Sequence, residues 1–243
     1  MTLNSAMALA EIATTYPALT RELERLGLDY CCKGQRSLAA ACQQKGLDPD
    51  RVVEDLSSQP MTAEPPAVWI KLSPAELVDH LEATHHRYLK QELPRLRELA
   101  AKVSPTHGER YPELIRVEEL LTELWVELEP HLRKEEEEVF PMVRTLASAT
   151  TRPGFAAGSL TKPIAELRDS HTIVGALLER LRMLTHCYQT PADTCASTQA
   201  LMAGLAELEA DTHLHVHKEN NHLFPAVLSL EDRIVGQPQE VHT

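Results

Sequence analysis

The chain is poor in glycine and in aromatic residues, with 9 Gly, 3 Phe, 5 Tyr and 2 Trp in 243 residues. Beside abundant Leu, Ala and Glu, that scarcity favours an all-helical protein. Positive charge is also short: 24 Lys and Arg stand against 36 Asp and Glu, a formal net charge of −12. Such a balance argues against a nucleic acid or an anionic membrane as partner. No apolar run approaches about 18 residues, so no membrane-spanning helix is expected. The N-terminus has no basic start followed by a long apolar stretch, and no export signal is expected. Five cysteines, an odd number without such a signal, read as reduced thiols in the cytoplasm.

What is present is a pattern written twice. His131-Leu-Arg-Lys134-Glu135-Glu-Glu-Glu-Val-Phe140-Pro141 returns 84 positions later as His215-Val-His-Lys218-Glu219-Asn-Asn-His-Leu-Phe224-Pro225. Both copies read H-x-x-K-E-x-x-x-x-F-P. A histidine and a glutamate four apart lie on one face of a helix, one turn above each other. Imidazole with carboxylate suits iron, zinc or manganese. The repeat extends upstream: His86 precedes His131 by 45 residues and His171 precedes His215 by 44. Two helical hairpins, each with a lone His and then an H-x-x-x-E, can bring four His and two Glu to one level of a bundle core. Such a set can hold two metal ions, with the glutamates between them.

The organisation follows from the punctuation. Residues 1–58 carry short amphipathic helices separated by Gly27, Gly34 and Gly46. Residues 59–67 form a Pro-rich linker, expected to be mobile near Pro65 and Pro66. Ser73-Pro74-Ala75-Glu76 opens a helix as a capping box with proline in the first turn. That helix is predicted to about Val103. Others are predicted over about Tyr111–Ala147, Lys162–Tyr188 and Ala196–Leu230, with bends at Pro94, Pro130 and Pro141. The whole predicts an antiparallel four-helix bundle over 68–232, preceded by a small helical domain and followed by a flexible tail at 233–243.

Other residues are weighed against plainer roles. A lone H-x-x-x-E is usually a surface ion pair; the repeat selects these two. The run Glu135–Glu138 reads as a solvated face apart from Glu135. Lys134 and Lys218 read as surface residues or as charges behind the ligands. His213 and His217 share another helix face and are expected to meet solvent. His222 follows His215 by seven residues and is expected behind the ligands. Of His85 and His86 at most one faces the core, and the spacing selects His86. His80 reads as a packing or hydrogen-bonding residue. His107 is a candidate neighbour of the metals. Cys42, Cys187 and Cys195 read as packing residues. Cys31 and Cys32 are adjacent, which disfavours an ordinary disulfide; the pair reads either as two small half-buried residues or as redox or metal chemistry.

The segment Asp29-Tyr30-Cys31-Cys32-Lys33-Gly34, with Leu38 and Ala39 after it, resembles the N-terminal domain of the di-iron iron–sulfur cluster repair (RIC) proteins, of the YtfE/ScdA/NorA type. His-x-x-Lys-Glu with Phe-Pro after it, and Glu219-Asn-Asn-x-Leu-Phe-Pro, resemble their hemerythrin-like domain. The similarity covers nearly the whole chain. It departs at Lys33-Gly34, where relatives have two glycines, and in a longer tail beyond Leu230. The resemblance implies that His86, His131, Glu135, His171, His215 and Glu219 bind two non-haem irons, with the glutamates bridging. It also matches His107 to a histidine near the centre.

The implied role is that of a cytoplasmic stress protein, more an iron donor than an enzyme, that restores iron–sulfur clusters damaged by nitric oxide or peroxide. Damaged iron–sulfur proteins and nitric oxide are the implied partners, and a homodimer is left open. The alternative is a hemerythrin-like carrier, buffer or sensor of nitric oxide or oxygen with no repair role. A ferritin-like oxidase normally shows Glu-x-x-His and more carboxylates, and a zinc hydrolase His-Glu-x-x-His; both are disfavoured. Cys31 and Cys32 are expected to act in redox chemistry or in iron or nitric-oxide transfer, without being needed to build the metal site.

Overall fold

The computed structural model describes residues 3–59, 68–151, 153–155 and 158–235. Among these residues there is no strand, only one β-bridge between Ala8 and Ser37. The fold is all-α. Of the predicted linker at 59–67 and tail at 233–243, residues 60–67 and 236–243 lie outside the described residues, whereas 233–235 are not a tail but continue the last helix.

Four short helices make the N-terminal unit: α1 (Leu9–Thr15), α2 (Thr20–Arg25), α3 (Leu38–Lys45) and α4 (Pro49–Ser58). Their ends are set locally. The Ser37 hydroxyl accepts from the Ala40 amide at the start of α3, and Gly46 closes that helix at φ 69°, a conformation that costs glycine little. Asp48 caps α4, with Pro49 in its first turn. Leu19, Leu23, Leu38, Val52 and Leu56 fill the core of this unit.

Four rods form the bundle. In the first, α5 (Pro74–Leu81) passes into α6 (Arg87–His107) through a π-helical turn at Glu82–His86. The predicted capping box is present at Ser73 and Glu76. In the second, α7 (Glu113–Lys134) passes through Glu135–Val139 into α8 (Phe140–Ser148). The third is α9 (Thr161–Leu184). In the fourth, α10 (Ala196–Lys218) passes through Glu219–Leu223 into α11 (Phe224–Val235). Helix α6 packs on α7 and α10, and α9 packs on α7 and α10, closing the ring.

Two of the π-helical turns end just before Phe-Pro. Pro141 and Pro225 have no N–H to give, and their rings press on the carbonyl four residues back. One extra residue in the preceding turn relieves that crowding, and such turns often mark functional sites. Helix α9 stops short of the predicted Tyr188 because His186, Cys187 and Tyr188 take positive φ, at 49°, 61° and 61°. The Cys187 amide turns back to the Arg182 carbonyl at 2.8 Å, capturing a terminal acceptor of the helix.

Two apolar clusters fill the bundle. One contains Leu93, Leu96, Leu121, Leu124 and Leu205. The other contains Leu81, Phe140, Val143, Leu223 and Phe224. The residues of the duplicated motif lie between them in sequence and form a polar layer.

The N-terminal unit packs directly on the bundle. Val216 of α10 joins the core of that unit. Asn221 Nδ2 donates to the Cys31 carbonyl at 3.0 Å, and Thr14 Oγ1 lies 3.0 Å from both His217 Nε2 and His222 Nε2. Gly34 sits at this seam. A Cβ there would meet the Tyr30 carbonyl at 2.3 Å, Ala10 Cβ at 2.7 Å and Asn221 Oδ1 at 2.9 Å. Backbone cannot yield as a flexible side chain can, so Gly34→Ala is expected to cost about 1–3 kcal/mol. Urea denaturation measures this; an unchanged midpoint would show that the seam relaxes freely.

Candidate metal centre

The six residues selected by the repeat come together in one buried cluster. His86, Glu135, His215 and Glu219 form one group of donors; His131, Glu135, His171 and Glu219 form a second. Within each group one donor atom per residue lies within 4.8 Å of the others, and all six residues are buried. Both glutamates belong to both groups. His131 Nε2 lies 3.1 Å from Glu135 Oε1, and His86 Nε2 lies 3.4 Å from Glu135 Oε2. Across the cluster, His215 Nε2 and His171 Nε2 each lie 3.1 Å from a different oxygen of Glu219.

Hydrogen bonding does not satisfy this cluster. His86 Nε2, His215 Nε2 and all four oxygens of Glu135 and Glu219 are buried without a hydrogen-bond partner. His131 Nε2 and His171 Nε2 face each other at 3.2 Å. Polar atoms buried in this way cost several kcal/mol unless something compensates them. Converging imidazole nitrogens and shared carboxylates are a donor set for divalent or trivalent cations, so these residues fit metal ions.

The electrostatics agree. Burial and the Glu219 charge push the Glu135 carboxyl well above the usual range. Burial also works against ionising Glu219, but His215 and His171 outweigh it and hold its carboxyl low. Burial drives His215 down to about 3 and also lowers His131. These imidazoles are therefore neutral at pH 7, the form that binds metal. Burial opposes the proton on His86 too, yet the Glu136 hydrogen bond and the Glu135 and Glu219 charges raise it overall.

Two histidines are held from behind by residues at matching positions of the repeat. Glu136 Oε1 lies 2.9 Å from His86 Nδ1, and Asn220 Oδ1 lies 3.1 Å from His171 Nδ1. Each follows the shared glutamate by one residue. A carboxylate behind an imidazole fixes its tautomer and raises its basicity; a neutral amide does the first and less of the second. The two halves of the cluster are thus unequal. Glu136→Gln keeps the acceptor and removes the charge. It is expected to weaken metal binding by about 10–100-fold, measured by competition with a chromophoric chelator. Unchanged affinity would show that the Glu136 charge does not reach the centre.

The placement corrects several expectations. Glu136 is not part of a solvated face. His85 is buried as well as His86, because the π-helical turn changes which residues point inward. It stacks on His215 with ring centroids 5.4 Å apart, and its Nδ1 lies 2.8 Å from Asp211. Lys218 is buried, not a surface residue, with Nζ at 2.7 Å from His85 Nε2 and 2.9 Å from His80 Nε2. His213 and His217 meet the N-terminal unit and not solvent: His213 lies 3.4 Å from Glu24, and His217 is 0% exposed. His222 faces Trp69 and Thr14, away from the donors. His107 ends α6, and 21 residues of helix beyond His86 put it about 30 Å away. Cys42 is buried, but Cys187 and Cys195 are exposed and do not pack.

The description "Hemerythrin HHE cation binding domain" belongs to the family model that matches residues 77–227, which span the whole cluster. The chain is also 34% identical over 223 residues to a probable iron–sulfur cluster repair protein of Haemophilus influenzae, covering 91% of this chain and 96% of that one. This chain belongs to the hemerythrin-domain iron–sulfur cluster repair family. A second family model, ScdA_N, described as a domain of unknown function, matches residues 5–59. Within the repair family the chain is similar to YtfE of Dickeya chrysanthemi, at 32% identity over 91% of this chain and 96% of that one. It is similar to ScdA of Staphylococcus haemolyticus at 29% identity, over 89% and 95%. The matched cation-binding domain and the unsatisfied donors agree that the bundle binds metal. No helix among the described residues is long and apolar enough to cross a membrane.

Proposed function

We propose that the chain is a di-iron protein that repairs damaged iron–sulfur clusters by donating iron, with His86, His131, His171 and His215 as terminal ligands and Glu135 and Glu219 as bridges. The supporting observation is that both buried carboxylates are shared between two four-donor groups. When bound, a non-haem iron pair supplies one-electron chemistry and positions for a diatomic such as nitric oxide. The chain's own residues hold and release it. Four imidazoles and two carboxylates retain the metal. Glu135, the carboxyl that burial raises most clearly, takes up a proton at its carboxylate as its hold is given up. Clients would be damaged iron–sulfur proteins, in line with the cluster repair that the relatives' names carry. All five cysteines are free, which suits the cytoplasm.

Residues 1–58 act as a separate functional unit within this reading, because their vicinal thiols lie against the centre. Cys32 Sγ donates to the His171 carbonyl at 3.7 Å. The pair serves transfer, not assembly, so Cys31→Ser/Cys32→Ser is expected to keep its iron and spectrum and to lose transfer. Normal repair by that variant would reduce the pair to packing; loss of its iron would show that the two units are not independent.

Metal analysis with optical and Mössbauer spectra, before and after nitric oxide, tests the centre. Iron transfer to an apo cluster protein, with and without a competing chelator, tests the role. Two irons per chain and transfer that outpaces chelation are the expected results. One zinc per chain would reject the di-iron reading. Reversible oxygen or nitric-oxide binding without transfer would favour a carrier or sensor instead.

A further inference from the structure

The polar atoms of Asp29, Cys31 and Cys32 form a third donor group, outside the bundle. One donor from each lies within 4.8 Å of the others. Cys31 Sγ is 3.7 Å from Cys32 Sγ and 3.3 Å from Asp29 Oδ1. Two sulfurs bound to one tetrahedral ion at about 2.3 Å lie about 3.7–3.8 Å apart. The unbonded pair already stands at that spacing.

The loop that carries the group is held on both sides. Asp29 Oδ1 accepts from the Cys32 amide at 2.8 Å and from the Lys33 amide at 3.4 Å. Asn220 and Asn221 both donate to the Cys31 carbonyl, at 3.4 Å and 3.0 Å. Gly34 admits no side chain at the next turn. Donors fixed by packing and by hydrogen bonds bind without reordering cost. A cavity of about 340 Å³, lined by the three donors with Lys33, Gly175 and Arg182, opens the group to solvent.

Its position is informative. Asn220 bonds His171 Nδ1 through its oxygen and the Cys31 carbonyl through its nitrogen. One side chain thus separates this group from the His131–His171 half of the centre, the half that lacks a carboxylate behind its imidazole.

We propose that Asp29, Cys31 and Cys32 form a third cation site, a thiolate station for a borderline-soft divalent ion such as ferrous iron, on the path between the His131–His171 half and solvent. The proposal rests on the reading of the bundle as an iron donor for its direction, and on the three donors alone for its chemistry. Binding exchanges protons for metal: one divalent ion replaces the two thiol protons, which leave to water through the cavity, and no electron moves. Binding therefore strengthens as pH rises, as thiolate sites do. Hard cations are disfavoured by the two sulfurs.

Cobalt(II) is the probe, added without oxygen or added thiol to the full chain with its bundle centre filled with iron. One further equivalent should bind, with a thiolate-to-cobalt charge-transfer band. Cys31→Ser and Cys32→Ser should each abolish the band, and Asp29→Asn should weaken binding by about tenfold or more. Cys187→Ser and Cys195→Ser, at exposed thiols, should leave it unchanged. In the unsubstituted chain, cadmium(II) should protect Cys32 from alkylation while Cys187 and Cys195 react. This second measurement needs no variant and holds even where Cys31→Ser fails to fold. The proposal is overturned by the absence of a band, by a band that survives Cys32→Ser, by a band lost with Cys187→Ser, or by Cys32 alkylation unaffected by cadmium. Failure of the repair reading would appear as no iron transfer to the apo cluster protein, with the cobalt band intact.

Discussion

Glu219→Ala is expected to empty the metal centre, leaving the purified chain with less than about a tenth of its wild-type metal. Glu219 offers one oxygen to His215 and the other to His171, and it belongs to both donor groups. Removing it takes a charged ligand from each at once. Glu135→Ala should behave alike, since Glu135 is shared in the same way. Each histidine belongs to one group only, so His86→Ala or His131→Ala should retain up to about half. The basis for the magnitude is that losing a residue behind a ligand already costs about 10–100-fold in affinity, and a bridging ligand contributes more. His213→Ala and His242→Ala are the controls. His213 lies beside Glu24 and Tyr30 and is not a donor in either group; His242 lies outside the described residues. Metal analysis of freshly purified chains, with far-ultraviolet circular dichroism to show that each is folded, decides the matter. Full metal content in Glu219→Ala would end the bridging assignment. An empty centre in His213→Ala would mean that the register is wrong.

The six donors were legible because helical periodicity turns sequence spacing into facing. H-x-x-x-E places His and Glu on one stripe, and the duplicated hairpin fixes which upstream histidine to choose. The helical unit at the N-terminus was legible from its glycines and caps, which act locally. What lay beyond reach depends on geometry that a uniform period does not contain. Projected at 3.6 residues per turn, Glu136 and His85 point away from the donors. The π-helical turns at Glu82–His86 and Glu135–Val139 rotate them inward, to His86 and His215. A signal existed in the Phe-Pro that ends each motif, since proline forces the preceding turn to adjust, and that adjustment is a rotation and not only a bend. The docking of the N-terminal unit was hidden for another reason. It uses Val216, His217, Asn221 and His222, on the helix face that the bundle pattern assigns to water. Only the change from Glu-Glu-Glu to Asn-Asn-His between the two copies hints that the second copy has a partner where the first has solvent. His107 was a candidate by its place in a connection and by the resemblance, and helix length alone removes it from the centre.

Acid should loosen that docking through His217, and His217→Gln should remove much of the effect. The His217 ring is fully buried between the two units. Its Nε2 lies 3.0 Å from Thr14 Oγ1 and its Nδ1 lies 3.4 Å from the Tyr30 carbonyl. Burial, with His222 and Lys218 adding repulsion against a weaker pull from the Tyr30 carbonyl, lowers its pKa from 6.5 to about 4. A group lowered in the folded state contributes its stability above the unfolded value. As pH falls below 6.5 the unfolded chain takes the proton first, and stability is lost until the folded ring titrates near 4. That span corresponds to about 3 kcal/mol. Glutamine can keep one hydrogen bond to Thr14 or Tyr30 and cannot titrate. The measurement is urea denaturation at several pH values between 6.5 and 4, read by Trp69 fluorescence in a Trp125→Phe background. Trp69 is the right reporter because its ring lies 5.9 Å from His217 and 4.7 Å from His222. The buried donors of the bundle titrate in both chains, so the difference between them isolates His217. The unsubstituted chain should lose about 3 kcal/mol more than His217→Gln over this window. Parallel curves would show that the seam is held by Val216 and the Asn221 contacts, with the imidazole contributing no pH dependence.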